Sequence, residues 1–173
     1  MDDNIYIPYQ ESYPNLENAL KEGANIHVFR SGGGLRVVRL EKMGKLISYG
    51  EHPYFSTALS HAESDFGLSY EEQYHGENSK HKWFITGTHP LPHDAIDVYV
   101  FHHGTAFDVF YSKKLNSFVC ISDIFESQEI KRHLKDPSDF DCIYGSADNI
   151  VGAITNCLLS MQLAKRDDLM KRC

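Results

Sequence analysis

The chain has 173 residues, of which 42% are hydrophobic, 12% aromatic and 24% charged, and its formal net charge is −7. This composition excludes a largely disordered chain, because disorder requires few aromatic residues and little apolar surface to bury. The negative charge argues against a general nucleic-acid coat protein, whose affinity would depend on clustered lysine and arginine.

Cysteine spacing and the N-terminus bear on the compartment. Cys120, Cys142, Cys157 and Cys173 are too far apart for a Cys-x-x-C motif, which is typical of free thiols in a reducing compartment. The N-terminus is acidic and lacks the pattern of a signal peptide, and no stretch approaches the ~18 apolar residues of a membrane-spanning helix. We therefore expect a soluble, cytoplasmic protein with no membrane partner.

The first part of the chain predicts a helix, three antiparallel strands and a second helix. Pro14 suits the first position of a short helix that Gly23 ends. Strands are predicted at 25–31, 35–41 and 45–49, and glycine-containing turns join them. A helix from about Pro53 to Phe66 has apolar residues three and four apart and would cover this meander.

The second part predicts a similar order after a polar, histidine-rich connection at 69–95. Strands are predicted at 97–102, 106–111 and 116–121. A polar insert at about 122–143 follows, with a helix at 126–134. The last helix is predicted to begin at Ser146, a favourable N-cap residue. The chain divides into 1–68, 69–95 and 96–173, and we expect these parts to form one compact unit.

The two parts match each other at regular offsets. Gly32 corresponds to Gly104 at 104 − 32 = 72, with apolar residues persisting around them, and Gly50 corresponds to Gly145 at 145 − 50 = 95. The competing explanation is that any two hairpins share alternating apolar residues and turn glycines. We predict an α+β fold of two similar antiparallel βββα modules, related by internal duplication. An additional N-terminal helix and the insert in the second module complete it.

A duplicated fold predicts where a ligand would bind. Each module alone has too little core to be stable, so the two should pack about a pseudo-twofold axis. Ligands favour grooves between repeats. The hairpin tips differ between the modules, with Arg30-Ser31 in one and His102-His103 in the other. The expected partner is a protein or small ligand in the groove between the modules, and self-association into a homo-oligomer is a further expectation.

Basic residues cluster on the first hairpin. Guanidinium and ammonium groups at these positions would suit phosphate, carboxylate or nucleic acid, whereas a solvated outer sheet face is the simpler interpretation. The cluster consists of Arg30, Arg36, Arg39, Lys42 and Lys45. The candidate binding residues are Arg30, Arg36, Arg39, Lys42, His102 and His103.

Histidines are concentrated in the middle third of the chain. Imidazole is the commonest metal ligand, and His89, His93 and His103 are the candidate ligands of a divalent metal. Pro90 and Pro92 exclude a helix that would place His89 and His93 on one face. Solvated loop histidines are the competing interpretation, and no other cofactor is predicted.

No catalytic constellation stands out in the sequence. The favoured hypothesis is a soluble, non-catalytic binding or accessory protein whose partner the sequence does not identify. One alternative is a metal-dependent hydrolase or phosphoesterase that uses the histidine-rich segment. Another is a nucleic-acid-binding protein that uses the basic first hairpin.

Overall fold

A computed structural model describes residues 8–66, 95–102, 104–122 and 144–171, of which 101, 102 and 162–171 are described as backbone only. The described residues form a mixed α+β fold with one six-stranded antiparallel sheet and four helices. In chain order the elements are α1 (Pro14–Lys21), β1 (Asn25–Arg30), β2 (Arg36–Lys42), β3 (Lys45–His52), α2 (Phe55–Ser64), α3 (Ala95–His102), β4 (Phe107–Ser112), β5 (Ser117–Ser122), β6 (Tyr144–Ala147) and α4 (Ile150–Lys171).

The sheet consists of two three-stranded meanders placed side by side. Its strand order is β3-β2-β1-β4-β5-β6, so β1 and β4 lie at the centre and join the two meanders. These central strands are antiparallel, with His27 opposite Asp108 in the register. The three strands predicted for the first part of the chain are confirmed, and so is the following helix, at slightly different bounds.

One face of the sheet carries the hydrophobic core. Alternate residues of β1, β2 and β4, including Ile26, Val28, Val38 and Val109, are fully buried and belong to one core with helical side chains. Alternation along a strand places such residues on one face. Complete burial of each of these side chains contributes roughly 1.5–3 kcal/mol. All four helices contribute side chains to this core, so they cover this face and leave the other face to a separate set of side chains.

Two glycines let a helix rest directly on a strand backbone. A Cβ atom at Gly50 would lie 1.9 Å from Ala58 O and 2.9 Å from Ala62 N. At Gly145 it would lie 2.3 Å from Ala153 O and 2.1 Å from Cys157 N. Real Cβ atoms essentially never approach within 3.0 Å of another atom, so both positions require glycine. The helices α2 and α4 thus pack on β3 and β6 in the same way, because the contacted helix residues follow the glycine at the same sequence separations in both cases.

The prediction of a strand at 97–102 is wrong, because these residues belong to helix α3. Ile96 and Val100, four residues apart, are both buried, as on one side of a helix. A short apolar run without polar alternation is compatible with either structure, and only tertiary packing decides between them. The 72-residue offset is also wrong as a structural match, since it pairs this helix with β1.

The last helix begins later than the sequence predicts. Ser146 lies within β6 rather than at a helix N-cap, and α4 begins four residues later, at Ile150. The amide of Gly152 donates to Asn149 Oδ1 at 2.7 Å, the bond expected of a capping residue. The predicted helix at 126–134, most of the insert and most of the histidine-rich connection lie outside the described residues. No helix in the described part of the chain is long and apolar enough to cross a membrane.

Candidate functional site

A buried ion pair joins three elements beneath the sheet. Arg36 of β2 and Asp97 of α3 both have fully buried side chains, and Nε of Arg36 lies 3.0 Å from Oδ1 of Asp97. A guanidinium N–H of Arg36 also donates to the carbonyl oxygen of Asp97 at 3.2 Å. The same Oδ1 atom accepts a hydrogen bond of 2.7 Å from the amide of Phe55, at the start of α2. Asp97 therefore anchors α2 and β2 to α3.

This ion pair has a structural role. Removing one partner of a buried pair leaves an uncompensated charge and typically costs about 3–5 kcal/mol. Arg36 does not lie on a solvated outer face, as the alternation of the strand suggested, because its position in β2 is on the core side with Val38. A fully buried guanidinium cannot contact a ligand at the surface, so the structure offers no support for Arg36 as a binding residue.

The histidine next to this pair is also buried. His52 of β3 lies opposite Arg36 in the register and is 1% exposed. Its Nδ1 accepts a hydrogen bond of 3.1 Å from the amide of Tyr54, and the ring of His61 lies edge-on at 5.6 Å. These contacts extend the polar interior next to the ion pair, and His52 is too deeply buried to contact a ligand at the surface.

A second charged cluster lies on the opposite face of the sheet. His27 of β1 contacts Asp108 through Nδ1, and its Nε2 lies 3.4 Å from Oε2 of Glu41. The other carboxylate oxygen of Glu41 lies 2.7 Å from the guanidinium of Arg39. Both ring nitrogens of His27 thus face carboxylates. This arrangement balances charge across β4, β1 and β2, but it leaves neither nitrogen directed towards a substrate.

The remaining candidate residues do not form one surface. Arg39 lies on the opposite face of β2 from Arg36 and is engaged by Glu41, while Arg30 is exposed at the end of β1. Lys42 is partly exposed at the far end of β2. His102 ends α3, where only the backbone is described, and His89, His93 and His103 lie outside the described residues. Within the described ranges no group of three or more His, Cys, Asp or Glu residues could hold a metal ion.

A groove lies between the end of α1 and the β4–β5 hairpin. It encloses about 480 Å³, and its lining includes Lys21 from the helix and Tyr111, Lys113 and Lys114 from the hairpin. We call it the lysine groove and define it by these four residues. The three lysines are exposed. Its volume falls within the roughly 300–1,000 Å³ that is usual for small-ligand sites.

Two aromatic rings hold the ammonium group of Lys21 at this groove. Its Nζ lies 5.8 Å from the ring centroid of Tyr111 and 5.9 Å from that of Phe118. The two rings pack edge to face at 5.2 Å, and the hydroxyl of Tyr111 donates to Asn116. A cation held over a ring gains about 0.5–1 kcal/mol at an exposed site. Lys21 is therefore pre-positioned, and the salt bridges found among the described residues do not involve it.

A smaller pocket of about 190 Å³ adjoins the lysine groove. Lys21 and Tyr111 line both, and the smaller pocket adds Asn116, Ser117 and Asp148. The combined site has a basic end, an aromatic floor and an acidic end. The sequence does not predict this site, because Lys113 and Lys114 are interpreted only as turn residues and Lys21 lies at the end of a short helix far away in the chain. The packing of α1 near β4, which unites them, has no local signal in the sequence.

Comparison of the chain with protein-family models, with curated proteins and with solved structures gave no match.

Proposed function

We propose that this chain is a non-catalytic binding protein whose lysine groove takes a ligand that carries phosphate or carboxylate groups. The observation that carries the proposal is the convergence of lysines from two separate elements on one groove, with Lys21 held in place by aromatic rings. Ammonium groups bind phosphate and carboxylate oxygens through charge-assisted hydrogen bonds. The concave shape lets several such bonds act on one ligand.

The charge distribution supports the same assignment. The chain as a whole has a net charge of −7, which on average repels anions. In the lysine groove three cations lie near a single acid, Glu22. The local charge there is positive, which favours anions in the lysine groove over the rest of the surface. Binding should therefore weaken as salt rises, because screening is strong at about 0.5 M ionic strength.

Calorimetric titration with inorganic pyrophosphate and with citrate tests the proposal. A charge-assisted hydrogen bond contributes roughly 1.5–3 kcal/mol, and about 1.4 kcal/mol changes Kd tenfold. The double variant Lys113→Gln/Lys114→Gln should thus bind either probe at least about tenfold more weakly. Lys45→Gln removes an exposed lysine beside another hairpin turn and should leave Kd unchanged. Absence of binding by the wild type, or equal weakening by the control, would overturn the proposal.

We also propose that the fold is an internal duplication of an αβββα unit, with residues 14–64 as the first copy and 95–171 as the second. Supporting this, α1 begins at Pro14 and α3 at Ala95, an offset of 95 − 14 = 81, and both span eight residues. Gly23 and Gly104 follow these helices at the same offset, and both have positive φ angles. The central pair of residues 27 and 108 has this offset too, as expected where a twofold axis passes between copies.

The outer strands follow the same equivalence. Val38 pairs opposite Gly50 in the first copy, and Cys120 pairs opposite Gly145 in the second. These pairs give offsets of 120 − 38 = 82 and 145 − 50 = 95. The helices α2 and α4 begin at Phe55 and Ile150, again 150 − 55 = 95 apart. A net gain of one residue between the first two strands, together with the insert before β6, would account for the offsets of 82 and 95.

The lysine groove lies between the two proposed copies, because Lys21 belongs to the first and Lys113 and Lys114 to the second, and the equivalent turn of the first copy has no lysine. In the first copy the β1–β2 turn reads Ser31-Gly-Gly-Gly-Leu35, and in the second the β4–β5 turn reads Ser112-Lys-Lys-Leu115. In both turns the serine Oγ accepts a hydrogen bond of 3.2 Å from the leucine amide. The first turn is one residue longer than the second, and glycines occupy its centre where the second turn has lysines. A binding site that arose after duplication would have this distribution.

Neither alternative function gains a supporting observation. Nucleic-acid binding by the first hairpin would need its arginines at one surface, whereas Arg36 is buried and Arg39 is engaged by Glu41. The candidate metal ligands of the hydrolase alternative lie outside the described residues. A reducing setting such as the cytoplasm would suit Cys120 and Cys157, which are buried free thiols.

A further inference from the structure

The lysine groove and its neighbouring pocket together hold separated charges of opposite sign. Lys21 and Asp148 both line the smaller pocket, yet no salt bridge between them is found among the described residues. The ammonium of Lys21 lies instead over the rings of Tyr111 and Phe118. The two groups thus form no ion pair with each other, and the pocket presents a carboxylate while the groove presents cations.

We propose that the ligand is a short acidic peptide with a free amino terminus. Its side-chain carboxylates would contact Lys113 and Lys114, and its amino group would lie at Asp148. This inference rests on the proposed function, because it assigns a ligand class to the same site. A simple anion would satisfy the lysines but would meet repulsion from Asp148, whereas a ligand with both charges satisfies both ends.

The dimensions of the site agree with such a ligand. The groove of about 480 Å³ adjoins the pocket of about 190 Å³, and Tyr111 lines both, so the combined volume exceeds what a single phosphate or amino acid requires. The shared ring of Tyr111 offers an apolar floor to the peptide between its two charged ends. Asp148 is exposed just before α4, where a ligand can reach it from solvent.

The experiment compares Gly-Glu-Glu with a free amino terminus against its N-acetylated form, titrated into the full chain by calorimetry. Exposed ion pairs contribute roughly 0.2–1 kcal/mol, so the free peptide should bind up to about fivefold more tightly than the acetylated one. Asp148→Asn should abolish this preference, and the acetylated peptide should bind at least as tightly as it binds the wild type, because the repulsion from Asp148 is removed. Glu11→Gln, at an exposed acid outside the site, should preserve the preference.

The outcomes separate this inference from the proposed function. If pyrophosphate binds and the binding depends on Lys113 and Lys114, but the two peptides bind equally or not at all, the peptide assignment is overturned and the anion site stands. If Asp148→Asn keeps the preference for the free amino terminus, the assignment of the amino group to Asp148 is overturned. If pyrophosphate, citrate and both peptides all fail to bind, the proposed function fails together with the inference.

Discussion

Replacement of Gly145 by alanine probes the seating of α4 on β6. The new Cβ atom would lie 2.1 Å from Cys157 N and 2.3 Å from Ala153 O. Both are backbone atoms inside a hydrogen-bonded helix, so neither can turn aside as a flexible side chain would. The helix as a whole must retreat from the strand for the methyl group to fit.

The magnitude follows from the size of that retreat. Ordinary van der Waals contact begins at 3.4 Å, so the helix must move by about 3.4 − 2.1 = 1.3 Å. A gap of 0.5–1 Å already forfeits roughly a quarter to a half of a dispersion contact. The side chains affected are those that α4 buries against the sheet, including Ile150, Ile154 and Leu158. We expect Gly145→Ala to lower the free energy of unfolding by about 3 kcal/mol, the upper end of overpacking costs.

Urea denaturation followed by far-ultraviolet circular dichroism measures this loss. Gly32→Ala is the matched control, since no atom lies within 4 Å of its added Cβ and its φ is not in the left-handed region. The control should be neutral, or more stable by about 0.4–1 kcal/mol through the unfolded state. Gly50→Ala should lose as much as Gly145→Ala, because its Cβ would lie 1.9 Å from Ala58 O. A difference below about 1 kcal/mol between Gly145→Ala and the control would refute the reasoning.

Two further predictions concern buried charge. Arg36→Leu should destabilise the protein by about 3–5 kcal/mol in the same urea assay, because it leaves Asp97 buried without its cation. The double change Arg36→Leu/Asp97→Leu should recover part of that loss, and a double variant as unstable as the sum of the single ones would contradict a coupled pair. Burial raises the pKa of the Glu51 carboxyl, so its protonated form is favoured in the folded state. The stability that this protonation contributes is present below the pKa of Glu51 in the unfolded chain and is lost as pH rises through its pKa in the folded protein. At pH 7 the partly buried carboxylate is charged, so Glu51→Gln should stabilise the protein more at pH 7 than at pH 4. Equal gains at the two pH values would contradict this.

The first half of the fold could be predicted because its signals are local. Glycines in the turns and alternating apolar residues define β1, β2 and β3 within about 30 residues of chain. The segment 97–102 failed for the opposite reason, since an apolar run of this length suits a helix as well as a strand. What makes it a helix is the packing of Ile96 and Val100 and the pairing of Asp97 with a residue from β2. Such distant partners have no trace in the local pattern.

The strand β6 is indicated in the sequence only by its correspondence with the first part of the chain. The match of Gly145 to Gly50 implied a strand there, because Gly50 was already predicted to border one. The segment Tyr144–Ala147 has only four residues and little apolar character, so its own composition predicted no strand. Correspondence between the halves was the better guide at this position. The groove needed still more, since Lys21 and Lys113 meet only after the meanders have paired through β1 and β4.

In the proposed duplication, two arginines of the first copy correspond to aromatic residues of the second. At the offsets of 81 and 82, Arg30 corresponds to Tyr111 and Arg36 to Phe118. In the second copy these positions are the aromatic rings that hold Lys21, and the site beside them is open. In the first copy Arg36 is instead buried with Asp97, which fastens α3 to the sheet. Under our proposal, equivalent positions serve stability in one copy and binding in the other.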